Sequence, residues 1–285
     1  MTIKNLYIIL LLFYFLLGFA SCIHNTISIC EQNLEIGNGL AIKPKSNQIL
    51  ISKPTNRKDK NNKNQYSLFE VIPTKDNNSI SKELKINSEY TDYHPVFSPK
   101  EDFILFNSTR PKPNETTSTG KVDIYYSKIE NNQFSEPQYL EVINTEYHDS
   151  YPSLTNKNKL YFNSDRPGGK GMMDIYVSEC INGNWQTPKL VPELNSEHSE
   201  NDLVIDSKER FIIFNRYVKE NNEIDLFISF NESGKWSSPT PMNSINESNI
   251  WELTPTLSVD SKTLYLEIDG MLKCYKINEI LSLKE

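Results

Sequence analysis

The chain has 285 residues, 37% of them hydrophobic and 24% charged, which is enough apolar material for one large all-β domain or two small ones. Its formal net charge is −7, and an acidic surface argues against DNA, RNA or anionic lipid as the main partner. The 15 Tyr and 13 Phe, punctuated by Asn, Asp, Ser and Pro, favour short strands and turns. No long stretch of the mature region keeps apolar spacings of three and four, so little helix is expected.

At the N-terminus, Lys4 precedes an apolar run from Leu6 to Phe19, and Ala20-Ser21-Cys22 follows. A charged start, an apolar core and small residues before a cut read as a signal peptide over 1–21. The run is 14 residues, short of the roughly 20 that span a bilayer. The ending resembles the lipobox of bacterial lipoproteins, although Phe19 stands where Leu is usual. That resemblance implies diacylglycerol on the Cys22 sulfur and cleavage before Cys22. Stable anchoring follows when more than one acyl chain is attached. Ile23 gives no inner-membrane retention signal, so the expected location is the outer membrane, facing the periplasm. Residues 22–36 then read as a lipidated tether, or as an extra strand that helps close the fold, and 37–285 as the folded domain. Cys30, Cys180 and Cys274 allow at most one bridge, and unpaired strand cysteines are the expectation. The basic run Arg57–Asn64 reads as a solvated loop.

Beyond the leader the chain repeats itself. An apolar triplet recurs, ending at Ile51, Phe106, Phe162, Phe214 and Leu266, at intervals of 55, 56, 52 and 52. A polar turn precedes each copy. Asp123-Ile124-Tyr125, Asp174-Ile175-Tyr176 and Asp225-Leu226-Phe227 follow, with a degraded Ser67-Leu68-Phe69 in the first unit. Then come an aromatic and a proline (Phe134…Pro137, Trp185…Pro188, Trp236…Pro239). The unit closes on Asn87-Ser88-Glu89, Asn144-Thr145-Glu146, Asn195-Ser196-Glu197 and Asn246-Glu247-Ser248. Each unit holds four apolar runs separated by turns, the pattern of a propeller blade. The expected fold is therefore all-β: a propeller of five four-stranded blades, with six as the alternative.

The segment FNSDRPGGKGMMDIYVSECINGNWQTPKL (162–190) resembles the WD-like β-propeller repeats of TolB-type proteins. It is most similar to those of periplasmic Bacteroidetes proteins that often carry an OmpA-like peptidoglycan-binding domain. The second unit matches well, the fourth reads FNRYVKENNEIDLF and lacks the arginine at its usual place, and the first and fifth are degraded. The resemblance covers roughly residues 36–280 and implies a non-enzymatic scaffold that binds envelope proteins. No OmpA-like domain fits before Glu285, so cell-wall anchoring is not expected.

Two sets of recurring residues attract attention. Arg110 with Asp123, and Arg166 with Asp174, read as structural pairs pinning the loop between second and third strands. An acid stands three residues before the first-strand proline or its equivalent: Asp92, Asp149, Glu200 and Glu252. First strands line the central channel of a propeller. These acids, with His94 and His148, are therefore the candidate channel-mouth binding residues, for a cation or a cationic ligand segment. The bland alternative is that each caps a turn. No metal or cofactor is expected, and no nucleophile or zinc motif is present. A glycan-active or glycan-binding propeller using the channel carboxylates is the alternative function. The expected oligomeric state is a monomer.

Overall fold

Strand formation follows the repeat. Each apolar triplet is β-branched or aromatic and flanked by turn residues, so it forms the second strand of a sheet that is covered on both faces. In this computed structural model, residues 29–31, 34, 36–43, 48–73, 79–218, 222–246 and 251–282 are described. Residues 1–21, read from sequence as a signal peptide, and Cys22 lie outside the described residues.

Blade one contains β1 (Leu40–Ile42), β2 (Ile49–Lys58), β3 (Asn64–Pro73) and β4 (Ser79–Glu83). Blade two contains β5 (Asp92–Phe97), β6 (Phe103–Ser108), β7 (Asp123–Glu130), β8 (Gln133–Phe134) and β9 (Gln138–Tyr139). Its fourth strand is thus split, with β8 and β9 both pairing β7. Blade three repeats this plan with β10 (Asp149–Leu154), β11 (Lys159–Ser164), β12 (Asp174–Ile181), β13 (Asn184–Trp185) and β14 (Lys189–Leu190). So does blade four, with β15 (Ser199–Ile205), β16 (Phe211–Val218), β17 (Glu223–Glu232), β18 (Lys235–Trp236) and β19 (Thr240–Pro241). Blade five has β20 (Leu253–Leu257), β21 (Thr263–Ile268) and β22 (Met271–Lys276), followed by the short helix α1 (Ile277–Ser282). All pairings are antiparallel. The innermost strands β1, β5, β10, β15 and β20 contact one another in turn and close a five-membered ring, so the six-bladed alternative is set aside.

Two sequence expectations need correction here. The fifth unit does not complete its own blade, because the chain after β22 turns into α1. The fourth edge is instead taken by the N-terminal segment: Ile36 N–H donates to the Gly270 carbonyl at 3.1 Å and Leu272 N–H to the Leu34 carbonyl at 3.3 Å. Ile29, Leu34 and Ile36 bury their side chains there with Ile51 and Tyr265. Leu34 and Ile36 thus border the open edge of blade five through these two backbone bonds. The cysteines are not all unpaired: Cys30 is bonded to Cys274 across 244 positions, while Cys180 is a free thiol. Spacing alone gives no hint of a bridge between chain ends that meet only when the ring closes. The basic run stands as a mostly exposed hairpin end: 59–63 form the loop between β2 and β3, and Arg57, near the end of β2, pairs with Glu83.

Joining the first described residues to the last blade makes the ring a covalent loop. Removing the bridge with Cys30→Ala and Cys274→Ala will lower stability by about 2–4 kcal/mol, the usual range for a crosslink closing a long loop. Denaturant unfolding of parent and variant, each with and without reductant, checks this. Reductant should shift the parent midpoint and leave the variant unmoved.

Candidate functional site

The recurring acids come first. Asp92, Asp149, Glu200 and Glu252 are all 0% exposed, so they do not form an open ring at the channel mouth. A carboxylate taken out of water must be paired and hydrogen-bonded. Asp149 meets Arg166 at 2.5 Å, and Arg166 also donates to Ser164 Oγ at 2.9 Å and to the Ile143 carbonyl at 2.6 Å. The second Asp149 oxygen accepts from the Thr145 N–H at 2.6 Å and the Thr145 hydroxyl at 2.7 Å. Asp92 repeats the arrangement with Arg110 at 2.7 Å, Ser108, and the Ser88 N–H and hydroxyl.

The fourth blade does keep its arginine. Arg216 lies two positions earlier in its repeat than Arg166 and reaches Glu200 at 2.8 Å, the extra methylene of Glu standing where the other blades have Asp. Each guanidinium rests on an aromatic pair: Arg110 on Phe106 and Tyr125, Arg166 on Phe162 and Tyr176, Arg216 on Phe214 and Phe227. Cation–π attraction adds to the ion pair at such sites.

The structural pairs expected from sequence are therefore wrong in partner. Arg110 and Arg166 pair instead with the fully buried first-strand acids Asp92 and Asp149. Asp174 instead accepts from the Lys170 and Gly171 N–H groups. Its loop needs glycine, since a Cβ at Gly169 would lie 1.9 Å from the Asp174 carboxylate. Asp123 accepts from the Tyr139 hydroxyl at 3.2 Å, and burial pushes its pKa up to about 7. The closing Asn has a role of its own. Asn144 and Asn195 bond the N–H and carbonyl of Ile124 and Ile175, and Asn87 and Asn246 do the same for Leu68 and Leu226.

The two candidate histidines are also separated. His148 is half-buried among the inter-blade loops, where its Nδ1 accepts from Val122 N–H at 3.1 Å. His94 is buried and faces the channel.

The channel itself presents different residues from those expected. The inner strands of blades two to five each bulge once against the second strand, between Tyr93 and Val96, Ser150 and Ser153, Asn201 and Val204, and Leu253 and Thr256. One residue per bulge takes the left-handed conformation: His94 (φ 52), Tyr151 (φ 52), Asp202 (φ 43) and Thr254 (φ 47), with Asn38 (φ 58) at the same place in blade one. This conformation costs a non-glycine residue about 1–2 kcal/mol, and it is rare for a β-branched Thr.

Facing this level on each second strand is one polar side chain: Ser52, Asn107, Asn163, Asn215 or Glu267. These link the blades. Asn38 N–H donates to Glu267 at 2.9 Å, Tyr151 N–H to Asn107 at 3.0 Å, and Thr254 N–H to Asp202 at 3.2 Å. The His94 ring lies edge-on to Tyr151 at 5.0 Å.

His94 Nδ1, Asn107 Nδ2, Asn163 Oδ1, Asn215 Oδ1 and Thr254 Oγ1 are buried without a protein partner among the described residues. Such atoms favour ordered water or the polar atoms of a ligand. Burial pushes the Asp202 carboxyl up to about 6, against the Thr254 N–H and the Tyr151 hydroxyl nearby, and Glu267 is raised too. Burial pulls His94 down to about 3.

Beyond the bulges the inner strands turn apolar. Leu40, Ile42, Val96, Leu154, Val204 and Leu257 line a funnel of about 350 Å³ that opens to solvent with His94 at its inner end. Sequence reasoning missed Tyr151, Asp202, Thr254 and the five polar second-strand residues. The signal was there: a polar residue follows every apolar triplet, and a variable residue lies two positions after every acid.

These features define a five-bladed β-propeller with TolB-like blades. It is similar to a protein assigned as TolB from Agrobacterium tumefaciens, with TM-score 0.51 and 11% identity, covering 85% of this chain and 77% of that one. It is also similar to a gluconolactonase from Xanthomonas campestris, with TM-score 0.50 and 10% identity, covering 87% and 88%. At such identities the likeness is one of fold. No family model and no curated protein sequence matches the chain.

Two outcomes follow. Arg166→Ala will cost about 3–5 kcal/mol, because it leaves a buried carboxylate uncompensated. Asp149→Asn with Arg166→Met will cost clearly less, and a double-mutant cycle by chemical denaturation tests the difference.

The second outcome concerns pH. Asp202 has a raised folded-state pKa, so its ionisation stabilises the unfolded chain. Its contribution is full below about pH 4 and is lost as pH rises to about 6. His94 is depressed, so its contribution is present above about pH 6.5 and is lost as pH falls towards 3. Because the two oppose each other, single-site differences are the readout. The stability difference between parent and Asp202→Asn should fall from pH 4 to 6. That between parent and His94→Asn should rise across the same range.

Proposed function

We propose that the protein is a non-enzymatic binding propeller, a lipoprotein of the bacterial cell envelope that holds a segment of a partner protein in its channel funnel. The observation that carries this reading is the funnel itself, an open apolar cup assembled from all five inner strands above a polar floor. Cups of this size, apolar with a few convergent polar groups, suit a protruding side chain or a chain end. The recurring carboxylates that would serve catalysis from one blade to the next are occupied by arginines in blades two to four. The envelope location rests on the leader and Cys22.

A second, glycan-active reading is favoured by one observation. Asp202 and Glu267 are carboxyls near the channel floor whose pKa values burial raises, with the Glu267 charge adding to the rise at Asp202. Carboxyl pairs with shifted pKa values are what glycoside chemistry uses. Asp202→Asn would abolish any turnover of aryl glycosides by the purified protein.

The binding reading is tested in cells with a photo-crosslinking residue in place of Val204 in the funnel, and another in place of Lys235 on the outer hairpin. One defined envelope protein captured from position 204, absent at 235 and lost in a Cys22→Ala background, is the expected result. Capture of the same proteins from both positions would overturn it.

A further inference from the structure

The seams between blades are built to one plan, and one of them is left open. Between blades three and four, Tyr161 packs edge-on against Trp236 at 6.1 Å, and its hydroxyl donates to Glu209 at 2.9 Å. Lys159 pairs with the same carboxylate at 2.9 Å. Trp236 is 8% exposed, and the seam is closed.

One seam earlier, Phe103, Leu105, Asn158 and Trp185 stand at the positions of Lys159, Tyr161, Glu209 and Trp236. Leucine is shorter than tyrosine and has no hydroxyl, and asparagine has no charge to offer a lysine. The seam consequently opens into a cavity of about 640 Å³. Its walls are aromatic: Phe103 lies edge-on to Tyr126 at 6.3 Å, and Trp185 is half-exposed. Its base is Leu105, Leu140 and Leu154. Its rim carries the Asp102 carboxylate and the amides of Asn158 and Asn182, and these two amides make no side-chain hydrogen bond among the described residues. The free thiol of Cys180 also lines it.

We propose that this seam is a saccharide-binding site, distinct from the channel and independent of the reading given to it. A pyranose ring has C–H faces that lose water favourably against aromatic rings, and an edge of hydroxyls that each donate and accept. The seam supplies both halves. Trp185, Tyr126 and Phe103 offer apolar surface with little conformational entropy to lose. Asn158 and Asn182 each offer two donors and a carbonyl, and Asp102 is an acceptor. A purely apolar ligand would strip water from these rim groups without replacing it. The cavity lies within the range of about 300–1,000 Å³ usual for small-ligand sites.

The test uses the full chain and a panel of neutral, N-acetylated and uronic-acid oligosaccharides. Calorimetry gives affinity, and the rate of Cys180 alkylation, followed by mass spectrometry of its peptide, reports occupancy of this seam and no other. The informative variant is Leu105→Tyr, which copies the closed seam with the fold's own residue. Trp185→Ala is the second variant, and Trp236→Phe the control.

At least one saccharide class should bind the parent and slow Cys180 alkylation. Leu105→Tyr and Trp185→Ala should each weaken binding by about tenfold or more, with Trp236→Phe unaffected. Three results would overturn the proposal: no binding across the panel, binding that leaves Cys180 alkylation unchanged, or equal affinity in folded Leu105→Tyr and Trp185→Ala. Failure of the channel reading would leave all of these measurements unmoved.

Discussion

In each blade one residue in or just before the inner strand takes the left-handed conformation, and in four of the five its N–H bonds to the neighbouring blade instead of its own sheet. Where that N–H goes decides how the blades are joined. In blade one it goes to Glu267 of blade five, in blade three to Asn107 of blade two, and in blade five to Asp202 of blade four. The bond thus runs from one sheet to the one before it, at the radius where the sheets are closest. Backbone approach there is tight: Gly39, next to the first of these residues, could not carry a Cβ without meeting the His94 backbone at 2.6 Å. The strain of the bulge and the inter-blade bond are two aspects of one feature, and the strain persists because the ring over-determines it.

The arginine–carboxylate lock acts at the start of the same strand. It keeps the inter-blade loop in place by satisfying one buried acid from three directions: a guanidinium, a hydroxyl and a backbone N–H. The lock is present in blades two, three and four, where neighbours lie on both sides in sequence. At the ends of the chain it gives way to other devices. Apolar Ile36 occupies the place of the acid in blade one, and the Cys30–Cys274 bridge ties that strand's approach to blade five. An ion pair works where the loop is continuous. A covalent link works where chain ends must find each other at a closure-entropy cost set by the whole ring.

How much of this was legible follows from what a repeat can and cannot reveal. The triplets, the closing asparagines and the turns recur because each meets the same packing or hydrogen-bonding demand in each blade, so the five units could be read directly. Partner choice is not encoded in recurrence. Arg166 lies eight residues from Asp174 and 17 from Asp149, and the fold pairs it with the more distant one. Arg216 was overlooked because Glu for Asp and a shift along the strand compensate each other in space but not in an alignment. The disulfide joins the two residues that topology alone brings together. Of the channel-floor residues only His94 was found, and the others were missed for the opposite reason: Asn38, Tyr151, Asp202 and Thr254 share its backbone conformation but not its chemistry, so nothing about them repeats as a letter.

That last contrast separates scaffold from function within one molecule. Positions that keep their chemistry from blade to blade serve demands common to all blades. Positions that keep their geometry and change their chemistry are free of those demands. The channel floor, with an imidazole, a phenol, a carboxyl, a hydroxyl and an amide at five equivalent left-handed positions, is one such place. The seam between blades two and three is another, where Leu105 replaces the tyrosine that closes the next seam. A ring of five like blades has no preferred direction, and a ligand can be held in a single orientation only where the equivalence is broken. These are two places where the structure breaks it, and in both the departure leaves polar groups beside unfilled apolar surface.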